Sequence, residues 1–436
     1  MSEQAQEESG PLLSPFLKPD APPMIADPYA VPIADLNTID GRLFQHGVHW
    51  EHFRRLRAED PVHFNELPGF GRYWSVTKFQ DIMYVDTHHD LFSSAHGIAI
   101  GGRIDREPDP EELQFSNFIA MDPPKHRGQR QTVNGVVAPQ NLRVLQSVIR
   151  ERVQQILDGL PVGESFNWVE KVSIELTTQM LATLFDFPFE ERYKLTRWSD
   201  VATAHPGTGI VDTAAQRKQE LMECLAYFTK LFQERGQWEK PGNDLVSMLA
   251  HGENTKNMQP HEFLGNLILL IVGGNDTTRN SISAGVWALD QNPEQMEKLR
   301  HEPSLNTSMV PEIIRWHTPL PYMRRTANED VELRGKTIKK GDQVLMWYVS
   351  GNRDDEEIDN PDSFIIDREK PRHHLSFGFG IHRCMGNRLA EMQLTILWEE
   401  ILQRFHRIEV LEQPTRLRSS FVHGITHLPV KLHPLQ

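Results

Sequence analysis

The chain has 436 residues, 39% of them hydrophobic and 24% charged, a composition that excludes a disordered or fibrous protein. Lys+Arg 46 against Asp+Glu 60 leaves a formal net charge of -14, which opposes counterion release on a nucleic-acid backbone and so excludes nucleic acid as the expected partner. The two cysteines, Cys224 and Cys384, can make neither a disulfide framework nor a four-thiolate zinc site, and a reducing, cytoplasmic setting is expected.

Met1 to Glu8 has no basic region followed by an apolar stretch, so it does not read as a secretory signal. Residues 1–45 are rich in proline (Pro11, Pro15, Pro19, Pro22, Pro23, Pro28, Pro32) without an apolar period, which predicts an extended surface arm. Trp50, Phe53 and Leu56 predict a short helix, followed by strands around Val62 to Phe64 and Tyr73 to Val76, divided by the turn signal Leu-Pro-Gly at 67–69. From about 139 to 318 the pattern is helical almost throughout (Ile149, Val153, Ile156; Leu221, Leu225, Phe228, Phe232), with loops at Pro161 and Gly163, Pro206 and Gly207, Pro241 and Gly242. Within it a long helix is predicted from about 260 to 291, bounded by Pro260 and by Asn292-Pro293. Its apolar run, Leu264 to Val272, is far short of the ~20 residues of a membrane span, so no transmembrane segment is expected. Short strands near Val331 to Leu333 and Val344 to Trp347, an aperiodic Pro- and Asp-rich stretch from 353 to 372, and a last helix from about Asn387 to Phe405 complete the pattern. No repeat and no linker divides it, which predicts one mainly α domain with a minor β region over 46–436.

The most specific stretch is Phe377-Gly-Phe-Gly-Ile-His-Arg-Cys-Met-Gly386, ending where the last helix begins. A cysteine there can sit under the positive end of the helix, close to backbone N–H groups of a glycine-rich turn, and both stabilise a thiolate. Gly378, Gly380 and Gly386 allow close approach to a flat ligand, and Phe377 can pack on it. An inert buried cysteine is the alternative. In the long helix, Gly273-Gly-Asn-Asp-Thr-Thr278 is a poor helix interior by propensity; the alternative to a functional groove is a glycine kink with a threonine bonded back to its own helix. Glu312 and Arg315 stand three apart and share a helix face, a spacing that by itself reads as a solvated surface pair.

Taken together, these stretches resemble the cytochromes P450, and the resemblance covers nearly the whole chain. It implies the fold of that family, a triangular helical prism with haem b between the long central helix and the helix after the ligand loop. It further implies Cys384 as the axial thiolate of the iron. Asp276 and Thr277 match the family's acid and alcohol pair, which relays protons during oxygen activation. Glu312 and Arg315 match a buried Glu-x-x-Arg lock; Ser363 stands at the position that matches its third partner, which leaves Arg353, Arg368 or no third arm at all. His126, Arg130, Arg325 and His382 match partners of the haem propionates, with Arg324 competing with Arg325 for that place.

Lys125, Arg127, Arg130, Arg143, Arg372, Arg383 and Arg388 form a basic patch in an acidic chain, read either as a docking face for an acidic partner or as propionate binding plus solvated charge. With no flavin or iron–sulfur module evident at either end, electrons are expected from a ferredoxin and its NAD(P)H-dependent reductase, with O2 as oxidant. Leu270 to Ser281, Leu320 to Ala327 and Gly380 to Glu391 resemble bacterial P450s that hydroxylate medium-chain alkanes at the terminal methyl. More weakly they resemble those acting on fatty acids, sterol side chains or terpenes. The expected walls for a linear aliphatic substrate are Leu269, Val272, Gly273, Leu320, Pro321, Ile98 and Phe421, the last two of which read equally as core. The rival of another class is a haem sensor or electron carrier.

Overall fold

The computed structural model describes residues 23–67, 70–100, 115–204 and 209–435. Pro68 and Gly69 of the expected turn, Pro206 and Gly207 of an expected loop, and residues 1–22 of the expected arm lie outside them. The described end of that arm departs from an extended surface segment. Gly41–Gln45 forms a short helix (α1) capped by the Asp40 carboxylate, and Leu36, Leu43 and Phe44 are buried. Beyond Pro32 the apolar side chains return, and Phe44 stacks 6.2 Å from Trp347 and meets Phe53 edge-on at 6.4 Å.

The chain continues through α2 (His49–Glu59), β1 (Val62–Leu67), β2 (Gly71–Val76), α3 (Phe79–Thr87) and β3 (Phe92–Ser93). The helical region comprises α4 (Lys125–Val133), α5 (Pro139–Asp158), α6 (Glu175–Phe185), α7 (Tyr193–Thr203), α8 (Ala214–Gly236), α9 (Leu245–His251), α10 (Pro260–Gln291), α11 (Pro293–His301) and α12 (Asn306–His317). Two features interrupt the expected run of helices: a strand, β4 (Ser165–Asn167), and a π-helical turn at Val169–Ile174 leading into α6. After α12 come β5 (Met323–Ala327), β6 (Val331–Leu333), β7 (Lys336–Ile338), β8 (Gln343–Met346), α13 (Tyr348–Gly351), α14 (Asn387–Arg404), β9 (Phe405–Val410), β10 (Thr415–Arg416), β11 (Ile425–His427) and β12 (Pro429–Pro434).

The principal sheet has the order β1-β2-β8-β5-β3, in which β2 and β8 run parallel. β4 pairs with β12 at the far end of the chain, in the order β4-β12-β9. That non-local partner explains why a local helical window overlooked β4.

The bounds of α10 follow from its punctuation. Pro260 sits in the first turn, where its missing N–H costs nothing, and Asn292, held out of the helix before Pro293, ends it. Its 32 residues span about 48 Å and pack against α6, α7, α12 and α14. A large core runs through these helices, a second lies on the principal sheet, and a third, aromatic, joins Phe44, Phe53, Tyr73, Tyr322 and Trp347. The predicted site residues are carried mainly by the middle of α10, by α4, by β5 and by the loop before α14.

Candidate functional site

The loop into α14 is closed by its own backbone. The Cys384 N–H donates to the Phe377 carbonyl at 2.8 Å, and Gly378 and Gly380 take φ values of +64° and +63°, where a side chain is strained. A Cβ at Gly380 would stand 2.4 Å from the Asp86 carbonyl oxygen, so both the turn and the contact with α3 require glycine. The N–H groups of Gly386 and Asn387, with the guanidiniums of Arg130 and Arg383, favour a Cys384 thiolate, as the sequence predicts. Cys384 is itself exposed, yet the protein packed around its thiol desolvates it by more than these groups offset, and the thiol is pushed up. A bound metal ion deprotonates a coordinating thiol outright and supplies what the protein alone does not. Cys224 is buried in the helical core, where desolvation pushes its thiol well up and nothing opens it to a ligand.

At the middle of α10, Gly273 is exposed although Ile271 and Asn275 beside it are buried, and an added Cβ would meet no atom within 4 Å. Gly274 faces the other way, with an added Cβ 2.8 Å from Leu181 of α6. The helix therefore presents bare backbone to an open space on one side and a close packing contact on the other. The Thr277 hydroxyl donates to the Gly273 carbonyl at 3.0 Å, so the back-bonded alternative describes its geometry here.

Asp276 is buried and turned toward α7. Its Oδ1 accepts from Ser199 at 3.1 Å, Asn275 at 3.1 Å and Arg279 at 2.9 Å, and Arg279 also pairs with Asp200 at 3.1 Å. Burial pushes the Asp276 carboxyl up, Arg279 pulls it down, and the Asp200 charge adds to the rise. No hydrogen bond joins Asp276 to Thr277 among the described residues, so the two side chains of the expected pair are anchored separately. The i, i+3 spacing of Asp276 and Arg279 was the signal for this network; Ser199 and Asp200 carried none.

Glu312 and Arg315 are fully buried and bidentate, at 2.7 and 2.8 Å. The third partner is Arg368, whose Nε donates to Glu312 Oε2 at 2.9 Å. Arg353 goes elsewhere, to the carbonyls of Asp362 at 2.9 Å and Trp316 at 3.0 Å. Arg315 also holds the carbonyls of Asn352, Pro361 and Ser363, and Asn352 in turn accepts from the Leu375 N–H and donates to Ser376. The lock therefore reaches the start of the ligand loop.

His126 of α4 and His382 of the loop lie with ring centroids 4.3 Å apart. Burial, helped by the neighbouring charges of Arg130 and Arg325, pushes His126 down to about 4 and His382 to about 2. Nε2 of His126 and both ring nitrogens of His382 are buried without a hydrogen-bond partner. Strand alternation separates the two candidate arginines of β5. Arg325 stands with these histidines and pairs with Asp86 at 2.8 Å; Arg324 points away, to Gly97 and to Gln343 at 2.8 Å. Orphaned imidazoles beside Arg130 and Arg325, a cysteine at a helix N-terminus and a bare glycine backbone on α10 fit a flat ligand carrying carboxylates and a thiolate-bound metal, as haem does.

Of the expected walls, Leu269 and Val272 are half-buried against the helical core, Leu320 and Ile98 are half-buried, and Pro321 is buried. Phe421 packs edge-on against Tyr322 at 5.5 Å, in the aromatic core. Cavities of about 540 Å³ (lined by Gln155, Ile156, Gln179 and Tyr193, among others) and 370 Å³ (by Trp398, Arg300 and Asp290, among others) lie away from all these residues. In the basic patch, Lys125 is paired with Glu262 and Arg372 with Glu391. Arg127, Arg143, Arg383 and Arg388 are exposed, with no acidic partner among the described residues. No helix among the described residues is long and apolar enough to cross a membrane.

Comparison with known proteins follows the same lines. The family model described as Cytochrome P450 matches residues 155–431. The structure of Cytochrome P450-153 from Novosphingobium aromaticivorans superposes with a TM-score of 0.85 at 44% identity, covering 92% of this chain and all of that one. Linalool 8-monooxygenase of Pseudomonas putida is 35% identical over 88% of this chain and 95% of its own. Methyl-branched lipid omega-hydroxylase of Mycobacterium tuberculosis is 32% identical over 92% of this chain and 96% of its own.

Proposed function

The chain belongs to the cytochrome P450 family, monooxygenases that carry haem b on a cysteine thiolate, and from that premise we propose that it hydroxylates the terminal methyl of linear aliphatic molecules, medium-chain n-alkanes above all. Cys384 would hold the haem iron through its thiolate, His126, Arg130, Arg325 and His382 would hold the propionates, and Phe377 would pack on the porphyrin. Bound haem supplies the oxygen activation: two electrons and two protons accompany O2, one oxygen atom enters a C–H bond, and the other leaves as water.

The chain's own residues then have two tasks. Thr277 holds a hydroxyl at the bare Gly273 carbonyl, where it can pass a proton into the site. Asp276, with its carboxyl pushed up by burial, is the group that can reload that proton from the Arg279 and Asp200 side. The exposed arginines Arg127, Arg143, Arg383 and Arg388 form the face on which an acidic ferredoxin docks to deliver electrons from its reductase.

The observation that supports the substrate reading is the aliphatic character of α10 beside the exposed Gly273. Leu269, Leu270 and Val272 are half-buried on α10, and no cation among the residues named as walls could hold a carboxylate near the iron. An unbranched chain therefore enters methyl-first, and its affinity rises by about 0.8 kcal/mol per methylene until the space is filled. The likeness to an omega-hydroxylase supports this reading. The likeness to a linalool monooxygenase favours a second one, oxidation of a branched terpene alcohol. Incubating the enzyme, a ferredoxin and its reductase with n-octane, dodecanoic acid and linalool in parallel, and separating the products by gas chromatography, distinguishes them. Primary alcohols from the linear substrates are expected; mostly 2- and 3-alcohols, or turnover of linalool alone, would overturn the terminal reading.

A further inference from the structure

Asp86 is the second-last residue of α3, buried, at the helix end where the macrodipole disfavours an anion. Such a placement is costly unless donors surround it. Three do, from three distant parts of the chain. Oδ1 accepts from Arg325 of β5 at 2.8 Å; Oδ2 accepts from the Phe379 N–H of the ligand loop at 2.7 Å and from the Tyr348 hydroxyl of α13 at 3.1 Å. The loop is shaped to this contact, since a Cβ at Gly378 would stand 3.2 Å from Oδ2 and one at Gly380 2.4 Å from the Asp86 carbonyl oxygen. Arg325 is thus the only cation on this carboxylate among its three donors, and it is also the arginine that stands beside the unpartnered His126 and His382.

We propose that Asp86 is a positioning residue for the haem: one buried carboxylate both aims and half-neutralises Arg325 on the propionate side and pins the ligand loop at Phe379, five residues before Cys384. The proposal rests on the assignment of Arg325 to the propionates. It follows that the charge felt by the iron is the Asp86–Arg325 pair rather than a free guanidinium, and that the loop and the cationic side of the site cannot move independently.

The test uses the purified holoprotein and reads the midpoint potential of the iron together with the rate of haem transfer to apomyoglobin. Asp86→Asn removes the negative charge, leaves Arg325 uncompensated beside the cofactor, and shifts the potential in the positive direction while speeding haem loss. Arg325→Gln shifts it in the negative direction. The double variant Asp86→Asn/Arg325→Gln lies between the two singles. Tyr348→Phe, which removes one hydrogen bond and no charge, leaves the potential in place.

Should Asp86→Asn not retain haem, the same comparison is read between Arg325→Gln and the double variant, where the neutral pair avoids an orphaned buried charge; the double variant must then lie on the positive side. An unchanged potential on removing the Asp86 charge, in a protein whose potential does respond to Arg325→Gln, overturns the role of Asp86. No response to Arg325→Gln overturns the propionate assignment beneath it.

Discussion

Arg368 and Arg353 compete in the sequence for one role, and the structure makes their difference measurable. Arg368 Nε donates to Glu312 Oε2 at 2.9 Å, and its other nitrogens reach carbonyls of Asp359, Asn360 and Ser363. Arg353, the more buried of the two, instead bonds to carbonyls, reaches the Asp362 carboxylate at 3.3 Å and stacks over Trp50 at 4.2 Å. Breaking a buried ion pair costs about 3–5 kcal/mol when the remaining charge is stranded. Glu312 keeps the bidentate Arg315 and the Ile365 N–H after Arg368→Ala, so the loss should sit at the low end, about 3 kcal/mol, or roughly 150-fold in the folding equilibrium. Arg353→Ala also destabilises, through lost carbonyl bonds and packing, so total stability does not discriminate. Coupling does. In double-mutant cycles with Glu312→Gln, read by urea denaturation of the holoprotein, Arg368→Ala should couple by about 1.5–3 kcal/mol and Arg353→Ala by about 0.5 kcal/mol or less. Equal coupling energies, or a larger one for Arg353, would refute the assignment of the third arm.

Gly380→Ala should abolish haem incorporation, because its Cβ would meet the Asp86 carbonyl at 2.4 Å, whereas Gly163→Ala, at φ +82° with no atom within 4 Å, should cost only about 1–2 kcal/mol of backbone strain; the carbon monoxide difference spectrum and thermal melts compare them. Thr277→Ala should keep substrate binding but release hydrogen peroxide in place of product, and Asp276→Asn should slow turnover itself, both read as product formed per reductant consumed; full coupling at wild-type rate in both variants removes the relay. Acid should unfold the protein partly through His317 and His423, which stack at 4.3 Å and donate to each other's carbonyls, near His49, Arg353 and Arg416. Burial holds all three imidazoles low, His423 at about 4, so the unfolded chain takes up protons below pH 6.5 that the fold refuses. Stability is then whole above pH 6.5 and falls by about 1.4 kcal/mol per histidine per pH unit toward pH 4. His423→Phe should flatten the slope of urea stability against pH by one such step, and an unchanged slope would remove the cluster from the acid response.

What the sequence made legible was whatever a short window contains. Phe377 to Gly386 holds its turn glycines, its cysteine and the N-cap of its helix within ten residues, and α10 is bracketed by Pro260 and Pro293, so both elements appear where expected. The failures share one cause, a partner far along the chain. β4 is a strand because β12 lies beside it, α1 is buried because Trp347 covers Phe44, and the choice of Arg368 over Arg353 depends on the path of an aperiodic loop.

Asp86 is the extreme case. Read locally it is an acid at the end of a short amphipathic helix, the pattern of a solvated surface, and none of its three donors lies within reach of a helical period. The residues proposed to bind the cofactor could be read from motifs because their spacing is fixed within short stretches of the sequence. The residues that hold others in place answer only to the fold, and a lone carboxylate buried among several donors is their mark. Asp276 of α10, engaged by Ser199, Asn275 and Arg279, carries the same mark. Two buried carboxylates, one tied to the loop before α14 and one to α7, therefore anchor different parts of the candidate site to different parts of the molecule. A change that moves α7 should reach Asp276 through Ser199 and Arg279 while leaving the Asp86 contacts with Arg325 and Phe379 as they are.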